Sequence, residues 1–408
     1  MADQPLDPPT IDFDEYHRTE LPRLLDAGRG AEAAKGIGKK SLAFRLTAGG
    51  AFTYRPKPNG VEIVEGDDSA DTIIELSHTS WQGIVNELDT GPGLIYGGRV
   101  KCPRGNSMHL IEWDPGLRAM YSGHSIFDPA EVDLRDPNGD PLDTEQSFRL
   151  NADRDEMAHF LRTAGFLIAR EVFSKQEIAG FVDDAAALRA AAQPGDKLSW
   201  WGKNAAGDET LCRVTNAGTR PRLKALYDDP RVAQLVALSD EKLTARAAAS
   251  DQGVSVIFKN PDMKEGLSDI PWHRDCGMGG HAAMCPVLIV SIYLSDANDE
   301  TGDLRMLPGS WQGACGFIDA RHPDAPNGIG VNGKPGDVSL HYGDVMHAAP
   351  PPTGLGPYRT SVVMAFVKDG ARNHRGGGSY NDVLLSRKDG QVEHLADLAK
   401  RSRAERNN

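Results

Sequence analysis

Cysteine is scarce in this chain, and its placement is uninformative for bridging: five residues (Cys102, Cys212, Cys276, Cys285, Cys315) are scattered over 408, with no CxxC pair. An odd, dispersed set excludes a disulfide framework and offers no structural zinc motif. Positive charge is also short, with 45 Lys and Arg against 58 Asp and Glu and a net charge of -13. Nucleic acid is therefore not an expected partner, because neutralising phosphates takes a basic face. The longest strongly apolar run, "PVLIVSIYL" from Pro286 to Leu294, falls far short of the roughly 20 residues that span a bilayer. The opening "MADQPLDPPTIDFDEYHR" has no basic stretch followed by an apolar one, so no secretory leader is expected and the protein reads as cytoplasmic. There is no internal repeat.

What remains is a composition typical of globular domains, 39% hydrophobic and 25% charged, on a chain long enough for two or three of them at roughly 150 residues each. Residues 1–145 read as a small α+β domain. "GVEIVEG" and "DTIIELS" have strand character, and "SHTSWQGIVNEL" opens with hydroxyl caps before an amphipathic helix carrying Trp81. "GLIYGGRVKC" and "SMHLIEW" resume the strand pattern. "DLRDPNGDPLDTEQ", dense in Asp, Pro, Asn and Gly, reads as a linker. The apolar strand "AGFLIAREVF" then precedes Ser174-Lys175-Gln176-Glu177, which has capping-box spacing, and the Ala-rich helix "IAGFVDDAAALRAAA". From Gly253 onward, short β-branched runs ("GVSVIF", "PVLIVSIYLS", "GDLRMLP", "GDVSLHYGDVMH", "RTSVVMAFV") alternate with turn residues. Such spacing predicts a jelly roll, a double-stranded β-helix with flanking helices, over residues 146–375. Residues 376–408 read as a partly ordered tail.

The chemistry gathers in "DIPWHRDCGMGGH". On a strand, residues two apart share a face, so His273 and Asp275 point one way and Arg274 the other. Two imidazoles and a carboxylate on one side of a metal form the facial triad of non-haem Fe(II) oxygenases. An HxD pair alone is weak evidence: with 12 histidines, about one is expected by chance. A second pair, His322-x-Asp324, does occur, among Pro, Asn and Gly where no strand holds it. His341 and His347 follow that pair too closely for strands to intervene. For His273 the downstream partner is better placed. His347 follows a Gly343-Asp344 turn after several strand-like runs, and Arg359-x-Ser361 opens the next strand. A buried Arg with a neighbouring hydroxyl makes a charge-assisted carboxylate clamp. HxD, a later His and Arg-x-Ser, in that order, is the ligand set of an Fe(II)/2-oxoglutarate oxygenase. Each part also has an ordinary reading as a hydrogen-bonded histidine or an ion-paired strand arginine, and the order is what separates the two. Cys276, His281 and Cys285 match no zinc spacing and read as packing, as does Trp81, while the pair Trp200 and Trp201 reads either as the lining of a substrate mouth or as ordinary core or loop packing.

These motifs resemble the phytanoyl-CoA dioxygenase family over about residues 150–375. "AGFLIAREVFSKQEIAGF" is similar to the family's opening strand and helix, "PWHRD" to its proximal metal motif, "TGDLRMLPGSW" to the segment between ligands, and "GDVMHAAPPP" with "YRTS" to its distal half. Trp311 departs from the more usual "PGSH", and "PPPTGLG" stretches the spacing from His347 to Arg359. The resemblance implies Fe(II) held by His273, Asp275 and His347, and 2-oxoglutarate held by Arg359 and Ser361, with Lys259 near the cosubstrate. It further implies O2 as oxidant, succinate and CO2 as products, ascorbate as a supporting reductant, and a small, apolar or lipid-like organic substrate. Residues 40–130 resemble sterol-carrier-protein-2-like domains more faintly, which implies an apolar ligand cavity. Two other readings stay open: a non-catalytic carrier with a degenerate jelly roll, and a cupin-like metalloenzyme that does not use 2-oxoglutarate. Oligomeric state is not legible.

Overall fold

The computed structural model describes residues 10–245, 253–263, 270–276, 287–320, 322–356 and 359–368, together with Lys400. Apart from Lys400, the expected tail lies outside the described residues, as do His281 and Cys285.

The first unit is a five-stranded sheet in the order β3-β2-β1-β4-β5. Its strands are β1 Leu42–Leu46, β2 Ala51–Lys57, β3 Gly60–Glu65, β4 Thr72–Leu76 and β5 Val100–Arg104. Ser77 caps the following helix, His78–Val85, by accepting from the Ser80 amide. A helical run over residues 13–34, interrupted at Gly28 where φ reaches +104°, packs on the sheet. Phe13, Tyr16, His17, Phe52, Tyr54, Trp81, Trp113 and Tyr121 occupy the space between them, all buried. Apart from His17, these aromatics belong to the apolar core of this unit.

One expectation fails here. "SMHLIEW" is not a strand; it opens the helix Met108–Ser122. Leu110 and Ile111 are buried, and so is every residue from Trp113 to Tyr121, Pro115 and Gly116 included, so this helix is enclosed on all sides rather than amphipathic. The "GLIYGG" part of the other expected strand is likewise helical, Gly91–Tyr96, with Thr90 as its cap. Only its "VKC" end belongs to β5.

The second unit holds two sheets. The larger runs β6-β7-β16-β13-β18-β11-β9-β8, with β10 also paired to β18. These are β6 Phe148–Arg149, β7 Phe166–Arg170, β8 Ser199–Lys203, β9 Glu209–Val214, β10 Leu243–Ala245, β11 Val254–Lys259, β13 Leu288–Tyr293, β16 Val338–Tyr342 and β18 Arg359–Lys368. The smaller runs β12-β17-β14-β15: β12 Ile270–His273, β14 Arg305–Met306, β15 Ile329–Gly330 and β17 His347–Ala349. Together they form the expected jelly roll. The capping box at Ser174 and Glu177 is present and starts the helix Lys175–Ala191. That helix and Arg154–Ala164 bury Ile178, Phe181, Leu188, Met157, Phe160 and Leu161 against Val254, Val256, Leu288, Val290, Leu340, Val362 and Met364. Each such side chain contributes about 1.5–3 kcal/mol of burial. Because strands alternate, the intervening residues Ser255, Lys259, Ser291, Ser339, His341, Arg359 and Ser361 turn to the opposite face, toward the smaller sheet.

Candidate metal centre

The site forms where the two sheets meet. β12 pairs antiparallel with β17 so that His273 lies directly across from His347, and their ring centroids are 4.1 Å apart. Asp275 follows the end of β12, and its amide and that of Cys276 both donate to the Gly343 carbonyl, at 2.9 and 3.0 Å. One carbonyl thus joins the turn bearing the proximal pair to the turn that precedes the distal histidine. Arg274 points the other way, as the alternation predicts, and bonds Asp344 and Asp114.

One ligand atom from each of His273, Asp275 and His347 falls within 4.8 Å of the others. Asp275 Oδ1 is 3.7 Å from His273 Nε2, and its Oδ2 is 3.7 Å from His347 Nε2. The His347 Nδ1–H donates to the Val345 carbonyl at 2.9 Å. That bond fixes the tautomer and leaves the Nε2 lone pair facing Asp275, the arrangement usual for a ligating histidine. Burial pushes the His347 pKa down to about 4, against the opposing pull of Asp275. Burial works against ionised Asp275, but the imidazoles of His347, His341 and His273 outweigh it and hold the carboxyl well below its ordinary range. His273 and Asp275 keep 27% and 33% of their side chains exposed, so the cluster is open on one side. The donor set therefore fits a metal that needs vacant positions.

A third histidine was not singled out by the sequence. His341, on β16, places Nε2 3.5 Å from Asp275 Oδ2 and its ring 4.5 Å from that of His347. It is 2% exposed, and neither ring nitrogen has a hydrogen-bond partner among the described residues. Only its odd position in an otherwise apolar strand, facing inward with Ser339, could have marked it.

Arg359 and Lys259 are register partners on β18 and β11, both buried, with Ser361 two residues on along the same face. Burial lowers the Arg359 pKa, opposed by Tyr293 and Asp303. Its Nε and one Nη lack partners among the described residues. Lys259 Nζ donates to the Ala349 carbonyl. Gly302, at φ +83°, lies against it, and a Cβ there would come within 2.5 Å of Lys259 Cε. His322 and Asp324 are 65% and 89% exposed, the surface turn expected. Trp81 and Trp200 are core residues, and Cys276 is buried.

A family model described as phytanoyl-CoA dioxygenase (PhyH) matches residues 161–360. No curated protein matches the chain. Among solved structures, AviO1 from Streptomyces viridochromogenes Tue57 is 24% identical, with a TM-score of 0.43 over 55% of this chain and 98% of its own. The non-heme alpha ketoglutarate dependent epimerase SnoN from nogalamycin biosynthesis is 19% identical, with a TM-score of 0.41 over 53% of this chain and 83% of its own. EctD from S. alaskensis, crystallised with 2-oxoglutarate and 5-hydroxyectoine, is 20% identical, with a TM-score of 0.40 over 53% and 76%.

Proposed function

Residues 161–360 are a phytanoyl-CoA dioxygenase domain, and on that premise we propose that the protein is an Fe(II)- and 2-oxoglutarate-dependent dioxygenase of a small organic molecule. The observation that carries this is the convergence of His273, Asp275 and His347 within 4.8 Å, on the same inner side as a buried arginine with unpaired donors. These three would hold the iron. Bound there, the metal would supply positions at which 2-oxoglutarate is oxidised by O2 to succinate and CO2 while the second oxygen atom passes to substrate.

The rest falls to the chain itself. A buried guanidinium with two unpaired N–H groups is costly until a carboxylate meets it. Arg359 would therefore bind the distal carboxylate of 2-oxoglutarate, with the Ser361 hydroxyl beside it and the Lys259 charge adding to the field. Ile289 and Ala365 are register partners on the inner face, with His341 across from Ile289, which suits a substrate with an apolar part. The division into residues 1–145 and 146–375 belongs to this reading, supported by two separate apolar clusters, one from Phe13 to Tyr121 and the other from Phe148 to Phe366. No described helix is long and apolar enough to cross a membrane.

The test is anaerobic titration of Fe(II) and 2-oxoglutarate into the purified chain, following the weak visible charge-transfer band of their chelate. The band is expected, and is expected to vanish in His273→Ala and Arg359→Ala. Bound metal without a band would sink the 2-oxoglutarate reading in favour of a cupin-like enzyme, and no metal uptake would favour a carrier.

A further inference from the structure

A ladder of buried charges joins the two units behind the metal centre. From the first unit come Glu87, Asp114 and Arg118; from the jelly roll come Arg274 and Asp344. Arg118 Nε donates to Glu87 at 3.1 Å and one Nη donates to Asp344 Oδ2 at 2.9 Å. Asp344 Oδ1 accepts from Arg274 at 2.9 Å, and the other end of Arg274 donates to Asp114 Oδ2 at 2.8 Å. Asp114 Oδ1 accepts from the Gly91 amide at 2.9 Å, and His124 Nε2 lies 3.1 Å from Glu87. Glu87, Asp114, Arg118 and Arg274 are each at most 8% exposed.

Stability alone does not account for such an arrangement, because taking each ion out of water costs several kcal/mol and apolar residues of similar volume often do as well. Its place in the chain does. Arg274 stands between His273 and Asp275, and Asp344 stands three residues before His347. Both jelly-roll members of the ladder are thus fixed to the two ligand-bearing turns, and both are gripped from outside by groups of the first unit. Asp344 spends one carboxylate oxygen on each arginine, so its orientation depends on Arg118. Glu87 adopts φ +52°, a backbone conformation uncommon for a residue with a side chain, held here by Arg118 and His124. Leu88, next along, packs on Val287, Ile289, Val363 and Ala365, the inner face of the larger sheet.

We infer that the N-terminal unit is a structural part of the metal centre, with Arg118 as a positioning residue that acts through Asp344 and Arg274 on His347, His273 and Asp275. This rests on the metal-site reading above. Partners outside the ligand sphere commonly set metal affinity by 10–100-fold, and Arg118→Met in the full chain is expected to weaken Co(II) binding by about tenfold or more on that basis. Arg118→Lys, which keeps the charge, recovers part of the loss. Affinity is read from the Co(II) absorption spectrum at a temperature where circular dichroism shows both variants folded.

If Arg118→Met lowers the unfolding midpoint yet binds Co(II) like the wild type, the ladder only ties the units together and the inference is wrong. Should that variant not fold, Asp114→Asn, which removes one contact of Arg274 and leaves Arg118 paired, must show the same weakening, and wild-type affinity there overturns the inference equally. A wild-type chain that takes up no Co(II) would instead remove the metal-site reading beneath it. A metal-binding wild type with unaltered variants leaves that reading standing and removes only the role of Arg118.

Discussion

His341 Nε2 lies 3.5 Å from Asp275 Oδ2, the same oxygen that His347 Nε2 faces at 3.7 Å. With His273 nearest Oδ1, the carboxylate is flanked by imidazoles on both oxygens. A metal held by His273, Asp275 and His347 leaves His341 as the group that steadies the Asp275 oxygen turned toward β16. His341→Phe, which keeps an aromatic ring but no donor, is expected to weaken Fe(II) binding by roughly tenfold, and His341→Gln by less. Anaerobic titration of both variants settles it; equal affinities for Phe, Gln and wild type would show that His341 merely packs.

Arg359 makes a sharper prediction because its role is confined to one ligand. Hydrogen bonds to charged groups are worth about 1.5–3 kcal/mol, so Arg359→Ala should raise the KM for 2-oxoglutarate by roughly ten- to a hundredfold or more. Arg359→Lys keeps the charge but loses the fork and should recover only part of this. Fe(II) affinity without cosubstrate should stay near wild type in both. An unchanged KM for 2-oxoglutarate would mean that another cation receives the carboxylate.

Gly302 offers a way to move Lys259 without changing it. Any side chain at φ +83° is strained, and a Cβ would meet the buried stem of Lys259, which has little room to retreat. Gly302→Ala is expected to lower stability by about 1–3 kcal/mol and to displace Lys259 Nζ from the Ala349 carbonyl. If Lys259 contributes to the cosubstrate pocket, 2-oxoglutarate binding weakens in step, and Lys259→Met shows the same weakening. Stability lost with cosubstrate affinity intact would confine Lys259 to a structural role.

The residues that could be read from the sequence share one property: each belongs to a short pattern that a strand makes meaningful. His273 and Asp275 are two apart, and so are Arg359 and Ser361; the spacing alone states that each pair faces one way. The capping box at Ser174 is legible for the same reason. His341 had no such neighbour, and its proximity to the second HxD pair gave it a rival explanation. The Met108–Ser122 helix was hidden because it buries Asp114 and Arg118 among its apolar residues. A charged residue at a buried position breaks the periodic signal, and Pro115 with Gly116 looks like a turn. The partners that make those charges tolerable, Arg274 and Asp344, lie far downstream in the chain and could not be inferred from local spacing. What the sequence concealed in misplacing that helix was therefore the contact surface between the two units.

His17 predicts how the N-terminal unit responds to acid. Its ring lies flat against Phe52, 4.4 Å between centroids, with Nδ1 2.6 Å from the Phe13 carbonyl and Nε2 2.7 Å from the Tyr54 hydroxyl. Burial lowers its pKa from 6.5 to about 4, so the folded chain binds a proton less readily than the unfolded one. Between pH 6.5 and 4 the unfolded state holds more protons, and linkage then requires stability to fall as pH falls across that window. At pH 7 this contribution is nearly whole; by pH 5 about 2 kcal/mol of it is gone, since one pKa unit is worth about 1.4 kcal/mol. Denaturant unfolding at pH 7 and pH 5 should show this loss in the wild type and most of it removed in His17→Gln, which cannot be protonated in this range. Protonation of His347, lowered by burial to about 4, pushes in the same direction, so part of the slope persists in the variant, and a divalent metal, which binds only the deprotonated ring, should keep or steepen that remainder. A variant whose pH dependence matches the wild type would place the acid sensitivity entirely outside the aromatic core of the first unit.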